Sequence, residues 1–162
     1  MSGPEARERL QFLARVVESE QANLSKTDRR LFPRPFTTEF ALSLKQDEQL
    51  AERVDAFVAR FSRLQDTLGD KLLPALLTAL GENRPTLVDR LDQAEKLGWI
   101  DSAEEWMTIR QLRNQMIHEY IEDPETLAQA LQTGHEYVAP LSQTTQKMIQ
   151  ELRSRGWLSP QP

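Results

Sequence analysis

The sequence predicts an all-α protein, an antiparallel bundle of four to five long helices that forms a single domain over residues 1–162. Apolar residues recur at intervals of three and four over most of the chain, which is the period of an amphipathic helix. Capping residues, glycines and prolines separate these segments. A chain of 162 residues is long enough to bury one hydrophobic core. That core is expected over residues 5–153.

The first helix is predicted over residues 5–23. Residues 25–45 contain Pro33 and Pro35 and are predicted to form a long ordered loop, with a short extended piece near Phe40. A loop of this length inside a compact domain is more often functional than a shorter one. The basic residues of this loop are candidate RNA contacts: Lys26, Arg29, Arg30 and Arg34.

The longest apolar stripe, over residues 47–80, predicts a central helix. Gly69 and Pro74 interrupt it. Proline lacks a backbone N–H and clashes with the preceding turn, so a break or kink is expected between these two residues. Gly81 is expected to end the helix.

Three more helices are predicted after this break. Asp101 or Ser102 is expected to cap the fourth helix, and Pro124 is expected at the start of the fifth. Bends are expected at Gly134 and Pro140. The predicted boundaries are residues 86–97 with Gly98 as the cap, then 102–122, then 124–153, followed by a flexible tail over 155–162.

Composition limits the function. The net charge of −5 argues against a broad basic surface, so nucleic-acid binding would need a local basic pocket. The chain has no cysteine, which excludes disulfides, cysteine zinc sites and a thiol nucleophile. No apolar run reaches the roughly 20 residues of a membrane span, and the first residues lack a signal-peptide core. A cytoplasmic protein with no membrane partner is expected.

The most informative segment is Arg113-Asn114-Gln115-Met116-Ile117-His118-Glu119-Tyr120, within the predicted fourth helix. On a helical wheel Arg113 falls near the middle of the apolar side, and Tyr120 falls almost under it. Asn114 and His118 lie one turn apart at the border of that side. A cation on an apolar stripe is costly unless it is paired. The pattern indicates a site between helices or at a subunit contact.

Each of these residues also has a structural interpretation. Arg113 is a candidate ion-pair partner for a glutamate of a neighbouring helix, His118 is a candidate surface or boundary residue, and Tyr120 is a candidate core aromatic. The combination favours a functional site. His135 and Tyr137 repeat the His-Glu-Tyr string without the arginine and asparagine, and they are assigned structural roles.

Other chemistries find little support in the sequence. There is no glycine-rich phosphate loop, no histidine cluster and no Ser-His-Asp arrangement. Asp66, Asp70 and Glu82 are carboxylates that could bind a cation, but acidic residues on helices usually form solvated faces. Neither a metal nor a cofactor is expected.

The Arg113-Asn114-x-x-x-His118-x-Tyr120 pattern resembles the signature of the HEPN superfamily and, more narrowly, of the HepT-like ribonuclease toxins. The resemblance covers residues 5–153, and the eight-residue motif is its most specific part. It implies a homodimer in which the motif helices of two chains face one another across a groove. Such a two-fold contact is self-complementary, so one motif supplies both halves.

The resemblance implies metal-free cleavage of RNA by attack of the ribose 2′-hydroxyl. His118 would be the general base or the general acid, and Arg113 would hold the phosphate and stabilise its charge. Asn114 would orient the His118 ring or contact the phosphate. Arg110 is a further candidate RNA contact. Tyr120 would lie near the pocket and would be the residue modified with AMP by a partner.

The implied partner is a minimal nucleotidyltransferase that acts as the antitoxin of a two-gene toxin–antitoxin module. A second interpretation stays open: a non-catalytic, substrate-binding or accessory subunit of such a nucleotidyltransferase. A third is a purely structural helical dimer. The acidic residues around the motif, among them Glu119, Glu122 and Asp123, favour the second interpretation. The basic segment 25–45 favours the first, provided that it lies over the groove.

Overall fold

The computed structural model describes residues 3–118 and 123–158, including only the backbone of His118. All regular secondary structure in these two ranges is helical. The α-helices are α1 (Pro4–Leu31), α2 (Thr38–Leu42), α3 (Glu48–Asp66), α4 (Leu73–Ala79), α5 (Leu87–Lys96), α6 (Ala103–His118) and α7 (Pro124–Ser154).

The long helices α1, α3, α6 and α7 pack together as a bundle. Contacts between neighbouring helices occur in opposite sequence order, which shows that these neighbours are antiparallel. The pairs are Asp28–His135 and Gln11–Trp157 for α1 and α7, and Asp66–Arg113 and Asp70–Arg110 for α3 and α6. The predicted all-α bundle is therefore confirmed.

The core lies where these four helices meet. Phe57 and Phe61 of α3 are fully buried at its centre. Gly134 of α7 faces them so closely that a Cβ there would lie 3.2 Å from a ring carbon of Phe57 and 3.3 Å from the sulfur of Met116 in α6. Glycine at this position lets three helices approach one another.

The predicted loop over residues 25–45 is wrong in its extent. Helix α1 continues to Leu31, because Leu24, Thr27 and Leu31 keep the helical spacing and are buried. The predicted extended piece is also helical: Thr37 caps α2 by accepting a hydrogen bond from the Phe40 amide, and a 3₁₀ turn follows over Ser43–Lys45. Prolines and basic residues suggested a loop, but the irregular segment covers only residues 32–37.

The expected interruption before Pro74 takes the form of a π-helical turn over Thr67–Leu72, which joins α3 to α4. Pro74 has no backbone N–H to donate to the preceding turn. The wider π-helical hydrogen bonding distributes the effect of this missing hydrogen bond over six residues. Gly81, with φ of 78°, follows the end of α4 as predicted.

Local capping sets the later boundaries close to the predicted ones. Thr86 accepts a hydrogen bond from the Asp89 amide at 3.1 Å and starts α5, and Ser102 accepts one from Glu105 at 2.9 Å and starts α6. Gly98, with φ of 81°, follows α5. The predicted end of α6 at residue 122 lies outside the described residues. Helix α7 runs through Gly134 and Pro140 as one helix.

The predicted flexible tail begins too early. The Trp157 amide donates to the Leu152 carbonyl at 3.0 Å, and the Trp157 carbonyl accepts a hydrogen bond from Gln11 of α1 at 3.0 Å. Arg155 lies 5.6 Å from the centre of the Trp157 ring. Residues 155–158 therefore fold back onto α1; residues 159–162 lie outside the described part of the chain.

Candidate functional site

Helix α6 carries the candidate site along its contact with α3. Trp106, Ile109, Leu112 and Met116 form its buried side. Arg113 lies beside that side, and its guanidinium reaches α3, where Nη2 is 2.8 Å from Asp66 Oδ2. Its Nη1 donates to the Asn114 side-chain oxygen at 2.9 Å. Arg113 is thus paired within its own chain, which is the structural interpretation that its sequence position allowed.

The Arg113–Asp66 ion pair is only partly withdrawn from solvent. The side chains are 29% and 37% exposed, respectively. Ion pairs in such settings typically contribute about 0–1 kcal/mol to stability. The contact orients the guanidinium, but its strength is too low to keep the guanidinium from a phosphate that offers two charge-assisted hydrogen bonds.

A second ion pair joins the same two helices one turn away. Arg110 Nη1 lies 3.2 Å from Asp70 Oδ1, and both side chains are more than one-third exposed. Arg110 and Arg113 of α6 therefore match Asp70 of the π-helical turn and Asp66 of α3 in antiparallel order. Arg110, a candidate RNA contact, is paired in the isolated chain.

Between these helices lies a group of buried polar atoms that make no hydrogen bond within the described part of the chain. They belong to the Gln65 amide, the Trp106 indole and Arg113 Nε. Gln65 has no exposed surface. A Cβ built at Gly69 would lie 3.1 Å from Trp106 Nε1 and 3.5 Å from Gln65 Nε2, so both of these donors lie beside the π-helical turn. Unpaired buried polar groups cost stability, and π-helical turns often occur at functional sites.

The structure describes two of the four motif side chains. Asn114 is exposed and accepts a hydrogen bond from Arg113. Position 118 is the last of α6, one turn after Asn114, and the His118 side chain lies outside the described residues. Tyr120 also lies outside them. The predicted roles of His118 and Tyr120 therefore stay predictions.

The candidate RNA contacts of the basic segment divide into two groups. Arg30 and Arg34 line a cleft where α1, residues 32–37 and α3 meet. Lys26 and Arg29 are exposed on the last turns of α1 and do not line that cleft.

His135 and Tyr137 occupy positions that fit their expected structural roles. His135 Nδ1 lies 2.7 Å from Asp28 Oδ1, and its ring stacks on Phe32 at a centroid distance of 4.5 Å. Tyr137 packs against the core. These contacts join α7 to α1.

The carboxylates that could bind a cation are instead paired with arginines. Asp66, Asp70 and Glu82 lie within 3.3 Å of Arg113, Arg110 and Arg84, respectively. Across residues 3–118 and 123–158, no three histidine or carboxylate side chains gather as metal ligands would. In the same ranges, no helix combines the length and apolarity needed to cross a lipid bilayer.

Sequence reasoning did not assign Asp66 and Gln65 to the site. One signal was present: two aspartates four residues apart, at the end of α3 and in the π-helical turn, match two arginines three residues apart on α6. Nothing in the sequence indicated that these two faces meet. Comparison with protein-family models, curated proteins and solved structures found no match to this chain.

Proposed function

We propose that this protein is a metal-independent endoribonuclease of the HEPN type, the toxin of a toxin–antitoxin module that acts in the cytoplasm as a homodimer. Arg113 and His118 are the proposed catalytic residues. The observation that supports this most is the state of Arg113. Its guanidinium is oriented by Asp66 and Asn114, stays partly solvent-exposed, and lies on the same helix as position 118.

Helix geometry supports the dimer. Positions 113 and 118 are five residues apart, which separates them by about 7.5 Å along the helix axis and about 140° around it. Within one α6, positions 113 and 118 therefore face different directions. In two antiparallel α6 helices of a dimer, position 113 of one chain can lie opposite position 118 of the other. Ile117, 42% exposed on the same turn, is an apolar residue that such a contact would bury.

The proposed reaction breaks the bond between phosphorus and the 5′-oxygen. The ribose 2′-oxygen attacks phosphorus after giving its proton to a base, and the leaving 5′-oxygen takes a proton from an acid. His118 provides one of these functions, and histidine is the side chain whose unperturbed pKa, near 6.5, suits either of them at neutral pH. Arg113 stabilises the charge that gathers on the phosphate oxygens. The products are a 2′,3′-cyclic phosphate and a 5′-hydroxyl.

The proposed partner is a minimal nucleotidyltransferase that transfers AMP to Tyr120. The bulky anionic group would occupy the groove beside Arg113 and block access of the RNA phosphate. Incubation of both proteins with ATP, followed by peptide mass spectrometry, should find AMP on the peptide that contains Tyr120. Absence of the label from that peptide would reject this form of regulation.

Cell growth tests the toxin function. Expression of the chain should stop growth, and His118→Ala should restore growth at an equal level of folded protein, because the proton-transfer group is lost. His135→Ala serves as the matched control, since His135 has a structural partner in Asp28; at equal folded protein it should stay toxic. Equal toxicity of the parent and His118→Ala proteins would rule out catalysis by His118.

A second candidate function is a non-catalytic accessory subunit of a nucleotidyltransferase. The observation that favours it is the neutralisation of Arg113 by Asp66, in a chain that is acidic overall. An accessory subunit would bind the nucleotidyltransferase without being toxic, and neither Arg113→Ala nor His118→Ala would change growth. The same growth experiment therefore separates the two functions.

A further inference from the structure

A cleft of about 210 Å³ at one end of the bundle collects three arginines. Arg30 comes from the last turn of α1, Arg34 from the irregular segment 32–37, and Arg53 from the second turn of α3. All three arginines are exposed. Within the described part of the chain, none of them makes an ion pair or a side-chain hydrogen bond.

The cleft contains little negative charge to balance these cations. Asp47 is the one carboxylate among the described residues that line it, and its Oδ1 already accepts a hydrogen bond from the Leu50 amide at 3.0 Å, where it caps α3. Three guanidinium groups beside one carboxylate leave a net positive site on a protein whose total charge is −5. Such a local excess attracts an anion, and guanidinium groups bind phosphate oxygens in pairs.

The walls of the cleft are apolar and aromatic. Phe36 is buried beneath it, and Phe40 is partly exposed at its side, with ring centres 5.8 Å apart. Leu31, Pro33 and Leu50 complete the apolar lining. A bare inorganic anion would make no use of these surfaces. A nucleotide has both parts that this cleft fits, a phosphate for arginine and a flat base for an aromatic wall.

The cleft also lies at the end of the bundle where α6 finishes. The Phe36 amide donates to the Gln132 side chain in α7 at 2.8 Å. Met116 of α6 touches Gly134, two residues further along α7. Residues 32–37 and the Met116 turn of α6 therefore reach the same level of α7, which places the cleft and the motif at the same end of the bundle.

We infer that Arg30, Arg34 and Arg53 form a nucleotide-binding cleft that holds a single-stranded RNA through a phosphate and a neighbouring base, away from the scissile bond. The anionic character of the ligand follows from the cleft itself, and the choice of RNA rests on the proposed function. Arg53 was not expected from the basic segment, because it lies in α3 and joins the cleft only through packing.

Binding of a fluorescein-labelled, 2′-O-methylated RNA oligonucleotide tests this inference. The methyl group prevents attack by the 2′-oxygen, so affinity is measured without cleavage. The double variant Arg34→Ala/Arg53→Ala should bind at least about tenfold more weakly, and the slope of log K against log salt should fall by about 1.4 for two lost phosphate contacts. Arg7→Ala/Arg153→Ala removes the same charge from exposed residues at the opposite end of the bundle, and it should bind like the parent.

Asp47→Asn tests the same inference through an expected increase in RNA affinity. Asparagine caps helices as well as aspartate does, so α3 should keep its start while the cleft loses its carboxylate. RNA should then bind more tightly than to the parent by a fewfold. Circular dichroism of each variant checks that the helices are intact.

The results separate this inference from the proposed function. RNA binding that depends on Arg34 and Arg53, without any cleavage of unmodified RNA, supports the cleft and rejects the ribonuclease. Cleavage with unchanged RNA affinity in Arg34→Ala/Arg53→Ala supports the ribonuclease and overturns the cleft. Equal losses in the cleft variant and its charge-matched control would also overturn it. So would a cleft that binds an acidic peptide but no RNA, since that result would identify a protein-binding surface.

Discussion

The two faces of α6 differ in what they contact. Toward α7, the buried Met116 packs close to Gly134, which also lies close to the buried ring of Phe57 from α3. Toward α3 and the π-helical turn, the same helix makes two partly exposed ion pairs, through Arg110 and Arg113, and buried polar atoms there have no hydrogen-bond partner among the described residues. One helix thus has an apolar face and a polar face, only a fraction of a turn apart.

This difference indicates which face serves stability. Close apolar packing supplies most of the stability of a small bundle. Exposed ion pairs add little to the free energy of unfolding, and a buried amide without a hydrogen bond lowers it. Residues that weaken local stability tend to be kept where function needs them. Arg113 of the motif lies on the polar face, and the proposed chemistry depends on Arg113.

The largest expected effect comes from the polar face. Arg113→Ala should reduce the rate of RNA cleavage by about 10²–10³-fold, the usual effect of removing a donor that stabilises a developing anion. Its effect on stability should be about 1 kcal/mol or less, because the ion pair is partly exposed. Single-turnover cleavage and urea unfolding measure the two effects.

Arg153→Ala is the control for Arg113→Ala, since Arg153 is exposed on the last turns of α7. Its cleavage rate should match the parent. If Arg113→Ala unfolded the protein but left the remaining folded fraction fully active, Arg113 would belong to the stabilising face and the comparison would fail.

The apolar face should respond in the opposite way. Gly134→Val places atoms where a Cβ already comes within 3.3 Å of Phe57 and Met116, so it should lower the free energy of unfolding by about 1–3 kcal/mol. Ala139→Val on the exposed side of the same helix controls for the lower helix propensity of valine. Urea denaturation compares the two, and an equal loss in both would show that the contact at Gly134 is loose.

Local sequence signals predicted many of the helix boundaries that position the two faces of α6. Thr86, Ser102 and Asp123 mark helix starts through contacts within three residues, so their roles can be inferred without tertiary structure. The extent of α1 was missed because Pro33 and Pro35 suggested a loop, whereas burial of Leu31 keeps the helix intact up to the first proline.

The candidate site was less predictable for a physical reason. The motif itself can be recognised along one helix, but the Asp66 partner of Arg113 lies 47 residues away and is brought there by the packing of α3 against α6. Arg53 joins Arg30 and Arg34 in the same way. Contacts of this kind depend on which helix faces meet, and periodicity alone does not determine that.

Replacement of Gln65 tests whether the polar face costs stability. Gln65→Leu exchanges a buried amide that makes no hydrogen bond in the described part of the chain for an apolar side chain of similar size. It should stabilise the protein by about 1 kcal/mol, which corresponds to a Tm increase of roughly 2–4 °C for a chain of this length. A comparable decrease in Tm would show that the amide has a partner in solution, and the polar face would then be a stabilising network.

The smallest expected effect concerns Asp123, the N-cap of α7, which follows the motif. Hydrogen bonds from the Thr126 hydroxyl, then from the Thr126 and Glu125 amides, hold the pKa of Asp123 below its ordinary value. The stabilisation is therefore complete above the ordinary aspartate pKa, near 4, and is lost as pH falls through the lower folded-state pKa. Asp123→Ala should lower the Tm slightly at pH 6 and leave it nearly unchanged at pH 2. A difference in Tm that is the same at both pH values would contradict this.

The central claim is that Arg113 and His118 cleave RNA without a metal. The most direct measurement is the chemical identity of the RNA ends formed by the purified protein in the presence of EDTA, determined by mass spectrometry. We expect 2′,3′-cyclic phosphate and 5′-hydroxyl ends with the parent protein, intact RNA with His118→Ala, and strongly slowed formation of the same ends with Arg113→Ala. Intact RNA with the parent, or the same products from a folded His118→Ala variant, would contradict it.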